Sequence, residues 1–249
     1  MILYVNGDSH TAGAEVVNPH AFAGDDPALQ HLGRLPHPEN LAHSWGKLLS
    51  LALNAGFRCD AESAACNARI LRTTRAWLAD NPTSEKLVVI QWSTWEREEW
   101  FYNGIYYQVN GSGIDRVPPE AAERYRNYII GLDWNQKTID AHNDIWAFHQ
   151  ELLAQNIPHI FFNGNNDFSI VGDPKYEGDL VKTASMANEK QKDWGLNYIG
   201  PYDPASTYNA QIQGAGIETV SPKSWHYGKD GHSWWSRYLL NYIIKNKFI

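Results

Sequence analysis

Met1 to Glu15 reads MILYVNGDSHTAGAE. Ile2, Leu3, Tyr4 and Val5 form a short apolar run of the kind that makes a buried strand. Asn6 and Gly7 end it, and Asp8, Ser9 and His10 follow at once, before the small residues Thr11, Ala12, Gly13 and Ala14. Open α/β sheets carry their chemistry on the loops at the carboxyl ends of their strands. A serine on such a turn has backbone N–H groups beside it, so one loop supplies a nucleophile and half an oxyanion hole. An ordinary strand-to-loop turn would also accommodate these three residues.

Placed after an N-terminal strand, Gly7-Asp8-Ser9 resembles the first block of the SGNH, or GDSL-like, hydrolases. In that family the serine of this turn is the nucleophile. His10 stands where many members carry leucine. The resemblance implies a serine esterase working through an acyl-enzyme, with no cofactor. Its preferred substrate would be an acetylated carbohydrate.

The bulk numbers fit one such domain. The chain has 249 residues, 43% of them hydrophobic, which suits a single α/β unit with a substantial core. A net charge of -7 with no basic block argues against nucleic acid as a partner. Cys59 and Cys66 are too few for a disulfide framework. Met1 leads straight into a strand with no basic start, so no signal peptide is expected. No apolar run approaches the roughly 20 residues of a membrane span. A cytoplasmic or virion-associated protein is expected, of open oligomeric state. The 11 Trp and 13 Tyr serve the core, or stack on sugar rings where exposed.

Residues 16–41 are rich in Pro, Gly, Asp and His and read as a long loop. Its His20, His31 and His37 lack tight ligand spacing and read as surface residues. A helix is expected over His43–Ala55 with Gly56 closing it, then a strand over Phe57–Ala61 and a helix running to Leu78. The family's second block is a glycine whose N–H completes the oxyanion hole. Ala64 or Ala65 holds that place here, and Ala65 N–H is the expected donor. Asn67-x-Arg69-Ile70 followed by Arg72-Thr73-Thr74 resembles phage-type members, while Asn67 reads equally well as an N-cap.

Lys86–Trp92 (KLVVIQW) is the clearest buried strand. The family's third block, Gly-x-Asn-Asp, should follow, but the chain gives Gln91-Trp92-Ser93-Thr94, with Ser93 at the asparagine position. Its hydroxyl can donate to an oxyanion. Residues 96–119 read as an inserted hairpin around Asn103-Gly104, either a lid over the site or a packed ornament. Two helical pieces over 119–156 meet near 132–135. A fourth strand, Pro158–Phe162, runs into Gly164-Asn165-Asn166-Asp167. That loop spells the third-block motif one strand late, and places Asn166 and Asp167 on the active edge. Short helices are expected near Leu180–Asp193 and Ala205–Gln213, a last strand at Ile217–Val220, and a closing helix over Ser233–Lys245. Strands alternating with helices give a three-layer α/β/α, flavodoxin-like fold with a mainly parallel five-stranded sheet.

The family's last block is Asp-x-x-His-Pro, then Gly-His at the start of the final helix. His226 and Gly231-His232 keep that spacing. The resemblance therefore casts His226 as the base acting on Ser9. Tyr227 replaces the proline and Lys223 the acid. The far side of His226 then needs a carboxylate from elsewhere, with Asp230, Glu218 and Asp167 as candidates. Asp8 supports the turn. Two other readings use the same residues. Asp8-x-His10 resembles the opening motif of metal-dependent phosphoesterases, though no Gly-Asp-x-x-Asp follows it. The fold would also serve as a non-catalytic binding or virion-surface module.

Overall fold

In the computed structural model, residues 1–22, 35–83, 85–111, 117–169 and 191–249 are described. The apolar run of the first stretch forms β1 (Ile2–Asn6), and KLVVIQW forms β3 (Lys86–Trp92), buried along its whole length. They pair in parallel, Ile2 opposite Lys86 and Asn6 opposite Ile90. β2 (Gly56–Cys59) flanks β1, and β6 (His159–Asn163) flanks β3, giving a parallel sheet of order β2-β1-β3-β6. Side chains alternate across it with the period of two that a pleated strand imposes.

Tyr4, Val88, Ile90, Trp92 and Phe161 point to one face. There they meet α4 (Asn67–Asp80) through Ile70, Trp77 and Leu78, and α6 (Trp134–Ala154) through Ile145, Phe148 and Leu152. Leu3, Val5, Leu87, Val89, Ile160 and Phe162 point to the other. They pack on α3 (Trp45–Ala52), α7 (Tyr208–Gly214) and α8 (Lys229–Lys245) through Trp45, Leu49, Ile212, Trp235 and Leu239. Both faces are covered, which is why β3 reads as an unbroken apolar run. Most tryptophans are core, as the fully buried Trp45, Trp92 and Trp235 show; Trp225 is the exception, 70% exposed.

Several expectations need correction. Ile217–Val220 adds no strand to the sheet. Thr219 makes one antiparallel bridge to Tyr227, and Val220 N–H donates to His226 O at 2.9 Å. Only Ile217 and Thr219 of this segment turn partly inward, too little apolar surface to hold a central strand. Beyond β6 the sheet edge is touched once instead, by the parallel bridge between Phe161 and Tyr198. Asn54, at φ 50, takes the left-handed position after α3, so Gly56 is free to open β2. Cys66, not Asn67, caps α4, its Sγ accepting from Arg69 N–H at 3.4 Å. The closing helix begins four residues early, which puts His232 in its first turn. The helix expected at 180–193 and His31 lie outside the described residues, the last few positions of that helix excepted.

The hairpin forms as read. β4 (Glu98–Tyr102) pairs antiparallel with β5 (Ile105–Val109) around Asn103 and Gly104, both left-handed at φ 49 and 82. Trp100 and Val109 bury against Tyr125 of α5 (Ala122–Ile130), and Arg72 of α4 clamps Glu99 with two hydrogen bonds. The hairpin is thus anchored to the body at its root. The short helices α1 (Ser9–Ala12) and α2 (Pro38–Ala42) complete the described elements named here. Among the described residues, no helix is long and apolar enough to cross a membrane.

Candidate functional site

Gly7 turns the chain from β1 into α1 with no room for a side chain. A Cβ there would meet Thr11 Oγ1 at 2.4 Å and Gln91 Cβ at 2.9 Å. Asp8 then caps α1, its Oδ1 accepting from His10 N–H at 3.1 Å. That leaves Ser9 at the first helical position, where N–H groups have no intrahelical partner. Ser9 is partly exposed between two buried neighbours. Its hydroxyl makes no hydrogen bond among the described residues.

Asp8 is the hub beneath this turn. Oδ1 also accepts from Gln91 Nε2 at 2.7 Å, and Oδ2 accepts from Ser93 Oγ at 3.0 Å and Arg97 Nη1 at 3.3 Å. Burial alone would raise its carboxyl; the neighbouring His10, the Arg97 charge and these hydrogen bonds hold it below the usual range. With His10 itself neutral, Arg97 is the charge that keeps Asp8 ionised. Arg97 stands at the root of the hairpin and donates to Ser93 Oγ at 2.9 Å as well. Sequence reasoning missed it, because nothing in Trp95-Glu96-Arg97 marks which arginine turns inward.

The opposite end of the chain closes over the same loop. The His10 ring lies 5.4 Å from the His226 ring, edge to face, and 5.1 Å from Tyr208. His226 Nδ1 is 2.7 Å from Glu15 Oε2. A carboxylate only accepts, so Nδ1 carries a proton, and in the neutral ring it is Nε2 that holds the lone pair. Ser224 Oγ donates to the same Glu15 oxygen and accepts from His226 N–H at 3.0 Å. Burial opposes ionisation of Glu15, but the bonds from Ser224 and His226 prevail and lower its carboxyl.

His232 has another task. Its Nδ1 accepts from Trp45 N–H, the unpaired donor that opens α3, at 3.0 Å. Burial, with His10 and His226 nearby, lowers it to about 3. Burial likewise brings His10 down to about 4 against the pull of Asp8. Both rings are neutral near pH 7.

The remaining expected residues divide. Ala65 N–H is bonded to Glu62 O at 3.0 Å and offers nothing to a ligand. Ala64 sits at φ 68, the left-handed conformation a glycine would favour, and its N–H has no acceptor among the described residues. Asn67 clips the end of β3, accepting from Ser93 N–H at 2.9 Å and donating to Ser93 O at 3.3 Å. The Ser93 hydroxyl proton points at Asp8. Both are therefore supports rather than free donors. Asn166 is partly exposed with no bonded side chain among the described residues. Of the acid candidates, Asp230 and Glu218 are exposed, and Asp167 accepts from Ser169 N–H at 2.6 Å. Glu15 occupies the place assigned to them.

Among the described residues, no group of three His, Cys, Asp or Glu side chains is arranged to hold a metal ion. Asp8, the first ligand of the phosphoesterase reading, has both oxygens engaged by four protein donors.

Residues 25–138 match a family model described as a family of unknown function, DUF6071. No curated protein matches the chain. Among solved structures it is similar to a protein described as lipolytic and of the G-D-S-L family, from Desulfitobacterium hafniense DCB-2. That pair is 12% identical with a TM-score of 0.46, covering 96% of this chain and 98% of that one. It is similar to the psychrotrophic esterase EstA of Pseudoalteromonas sp., at 12% identity and a TM-score of 0.44, covering 98% and 97%. A third is the acetyl xylan esterase Est2A of the rumen bacterium Butyrivibrio proteoclasticus, at 13% and 0.43, covering 99% of this chain and 64% of that one.

Proposed function

We propose that the chain is a serine esterase of SGNH type, with Ser9 as nucleophile and His226 as base. The observation that carries this is the meeting of the two chain ends: the His226 ring lies against His10, the residue beside Ser9. Ser9 Oγ attacks the acyl carbonyl while His226 Nε2 takes its proton, and the alcohol leaves with that proton. Water then attacks the acyl-serine, giving up a proton to His226, and the acid is released as Ser9 is reprotonated. Ser9 N–H and Ala64 N–H are the backbone donors for the oxyanion, with the Asn166 amide as a third. Hydrogen bonds in such a dyad are often long without substrate and tighten when it binds.

The substrate class is an O-acetyl ester of a carbohydrate. Trp225 is 70% exposed and next to His226 in the chain, and the family the first turn resembles includes esterases of acetylated carbohydrates. The test is labelling with a fluorophosphonate and mapping of the modified peptide. Label on Ser9, lost in Ser9→Ala with the circular dichroism unchanged, is the expected result. Label on another serine overturns the mechanism. Acetate release from acetylated xylan, set against hydrolysis of p-nitrophenyl butyrate, tests the substrate class.

A further inference from the structure

We infer that Glu15 is the positioning carboxylate of this site, supplied by the same loop that carries Ser9 rather than by the loop that carries His226. The inference rests on the serine–histidine reading above and adds to it the residue that sets the histidine.

Three observations converge. The first is a closed ring of hydrogen bonds. His226 N–H donates to Ser224 Oγ, Ser224 Oγ donates to Glu15 Oε2, and His226 Nδ1–H donates to the same oxygen. The ring fixes both the backbone and the imidazole of residue 226, and it admits one tautomer, with Nε2 as the free base. The second is backbone strain. Glu15 stands at φ 64, a left-handed conformation that costs a non-glycine residue energy and is commonest for Gly, Asn and Asp. Strain of this kind persists at working sites when the side chain is needed there. The third is the vacancy in the sequence. Lys223 occupies the position three residues before His226, and a cation there cannot orient an imidazole through Nδ1–H.

Supply from the first loop has a mechanical consequence. Gly13 N–H caps α1 on Ser9 O, and Ala14 N–H also donates to Ser9 O, at 2.9 Å. The nucleophile and the carboxylate are thus held on one short rigid turn, so any shift of that turn moves both together. His226 is the partner brought to them, across 211 residues of chain from Glu15.

The left-handed backbone permits a test free of folding artefacts. Glu15→Gly removes the carboxylate at a position where glycine is the favoured residue, so the melting temperature is expected to hold or rise. Glu15→Gln keeps the size and removes the charge. With p-nitrophenyl acetate as the probe, both variants are expected to lose about a hundredfold or more in kcat with KM little changed. Glu15→Asp is expected to recover part of it, and added formate to restore part of kcat in Glu15→Gly. A merely structural carboxylate would show neither recovery. Wild-type kcat in Glu15→Gln and Glu15→Gly, with Ser9→Ala inactive, overturns the positioning role and leaves the esterase reading standing. Wild-type turnover in Ser9→Ala overturns the esterase reading itself and the role of Glu15 with it.

Discussion

Gln91 donates through Nε2 to Asp8 Oδ1 at 2.7 Å and accepts through Oε1 from Thr11 Oγ1 at 2.6 Å. One fully buried amide thus straps both ends of the first turn to the central strand β3. Replacing it with leucine keeps the volume but removes one of the four donors to Asp8 and leaves the Thr11 hydroxyl without its acceptor in a dry interior. An unsatisfied buried partner costs about 1–3 kcal/mol, and more when charged. Gln91→Leu is therefore expected to lower unfolding free energy by about 3 kcal/mol in urea titration. Esterase turnover should fall with it, because Ser9 sits on the strapped turn.

The Asp8–Arg97 pair should behave as a unit. Removing Arg97 leaves the buried Asp8 carboxylate without its charge partner, at a typical cost of about 3–5 kcal/mol, and removing Asp8 leaves the partly exposed Arg97 without its carboxylate at a smaller cost. Arg97→Met should destabilise strongly and Asp8→Asn by less, and the double variant by clearly less than their sum. Additive losses would show that the two do not interact. The same donor set bears on metals. With four protein donors on Asp8, ester hydrolysis is expected to survive EDTA. Loss of activity with chelator and return with Mn²⁺ would favour the phosphoesterase reading.

Ala64 offers a prediction in the opposite direction. Its φ of 68 suits glycine, and the left-handed strain of about 1–2 kcal/mol that glycine relieves outweighs the roughly 0.4–1 kcal/mol it adds to the freedom of the unfolded chain. Ala64→Gly should raise the melting temperature by a few degrees and keep turnover, since the backbone N–H is retained. A fall in stability would mean that the alanine methyl contributes packing that outweighs the strain.

Acid should weaken the fold early. His10 and His232 titrate at about 4 and about 3 in the folded chain, against about 6.5 when unfolded. Their folded values are depressed, so below pH 6.5 the unfolded chain binds protons the folded chain refuses. Stability then rises with pH across the window from about 4 to 6.5, by up to about 1.4 kcal/mol per unit for each ring. His142 and His159, also lowered to about 4 by burial, act in the same direction. The melting temperature at pH 5 should fall several degrees below that at pH 7.5. Equal values would show that these rings are not held neutral.

What could be read in advance follows the range of the interactions. β1, β3 and the Asn103-Gly104 hairpin declare themselves through local pattern: apolar runs for buried strands, left-handed turn formers between aromatic ones. Gly7-Asp8-Ser9 is equally local. Glu15 was not legible, because its partner is 211 residues away and its meaning lies wholly in that contact. Arg97 was hidden for the same reason. Ile217–Val220 failed in the other direction: a segment with three β-branched residues forms a single bridge, because only Ile217 and Thr219 turn partly inward. Ala65 and Ser93 do possess the groups an oxyanion hole needs, an N–H and a hydroxyl. Sequence could not show that both are already bonded.

His226 and His232 are expected to separate turnover from stability. His232 lies in the first turn of α8 and accepts from Trp45 N–H, so it joins the starts of two helices on the same face of the sheet. His232→Ala leaves that N–H buried without an acceptor and opens a cavity, for an expected loss of about 2–4 kcal/mol. Its Nδ1 is engaged and its ring is held neutral by burial, so its effect on turnover per folded molecule should be modest. His226 is half-exposed in the preceding loop, pinned by Glu15 and Ser224 and by the backbone bond from Val220. His226→Ala removes no core packing, and stability should change by less than about 1 kcal/mol. Turnover of p-nitrophenyl acetate, in contrast, should fall about a thousandfold or more if this ring is the sole base for Ser9. Urea titration and active-site labelling of both variants give the two readouts on the same samples. Turnover lost in His232→Ala at full stability, with His226→Ala unaffected, would exchange the two roles. Unchanged turnover in His226→Ala and Ser9→Ala alike would move the protein to the non-catalytic reading, a binding module.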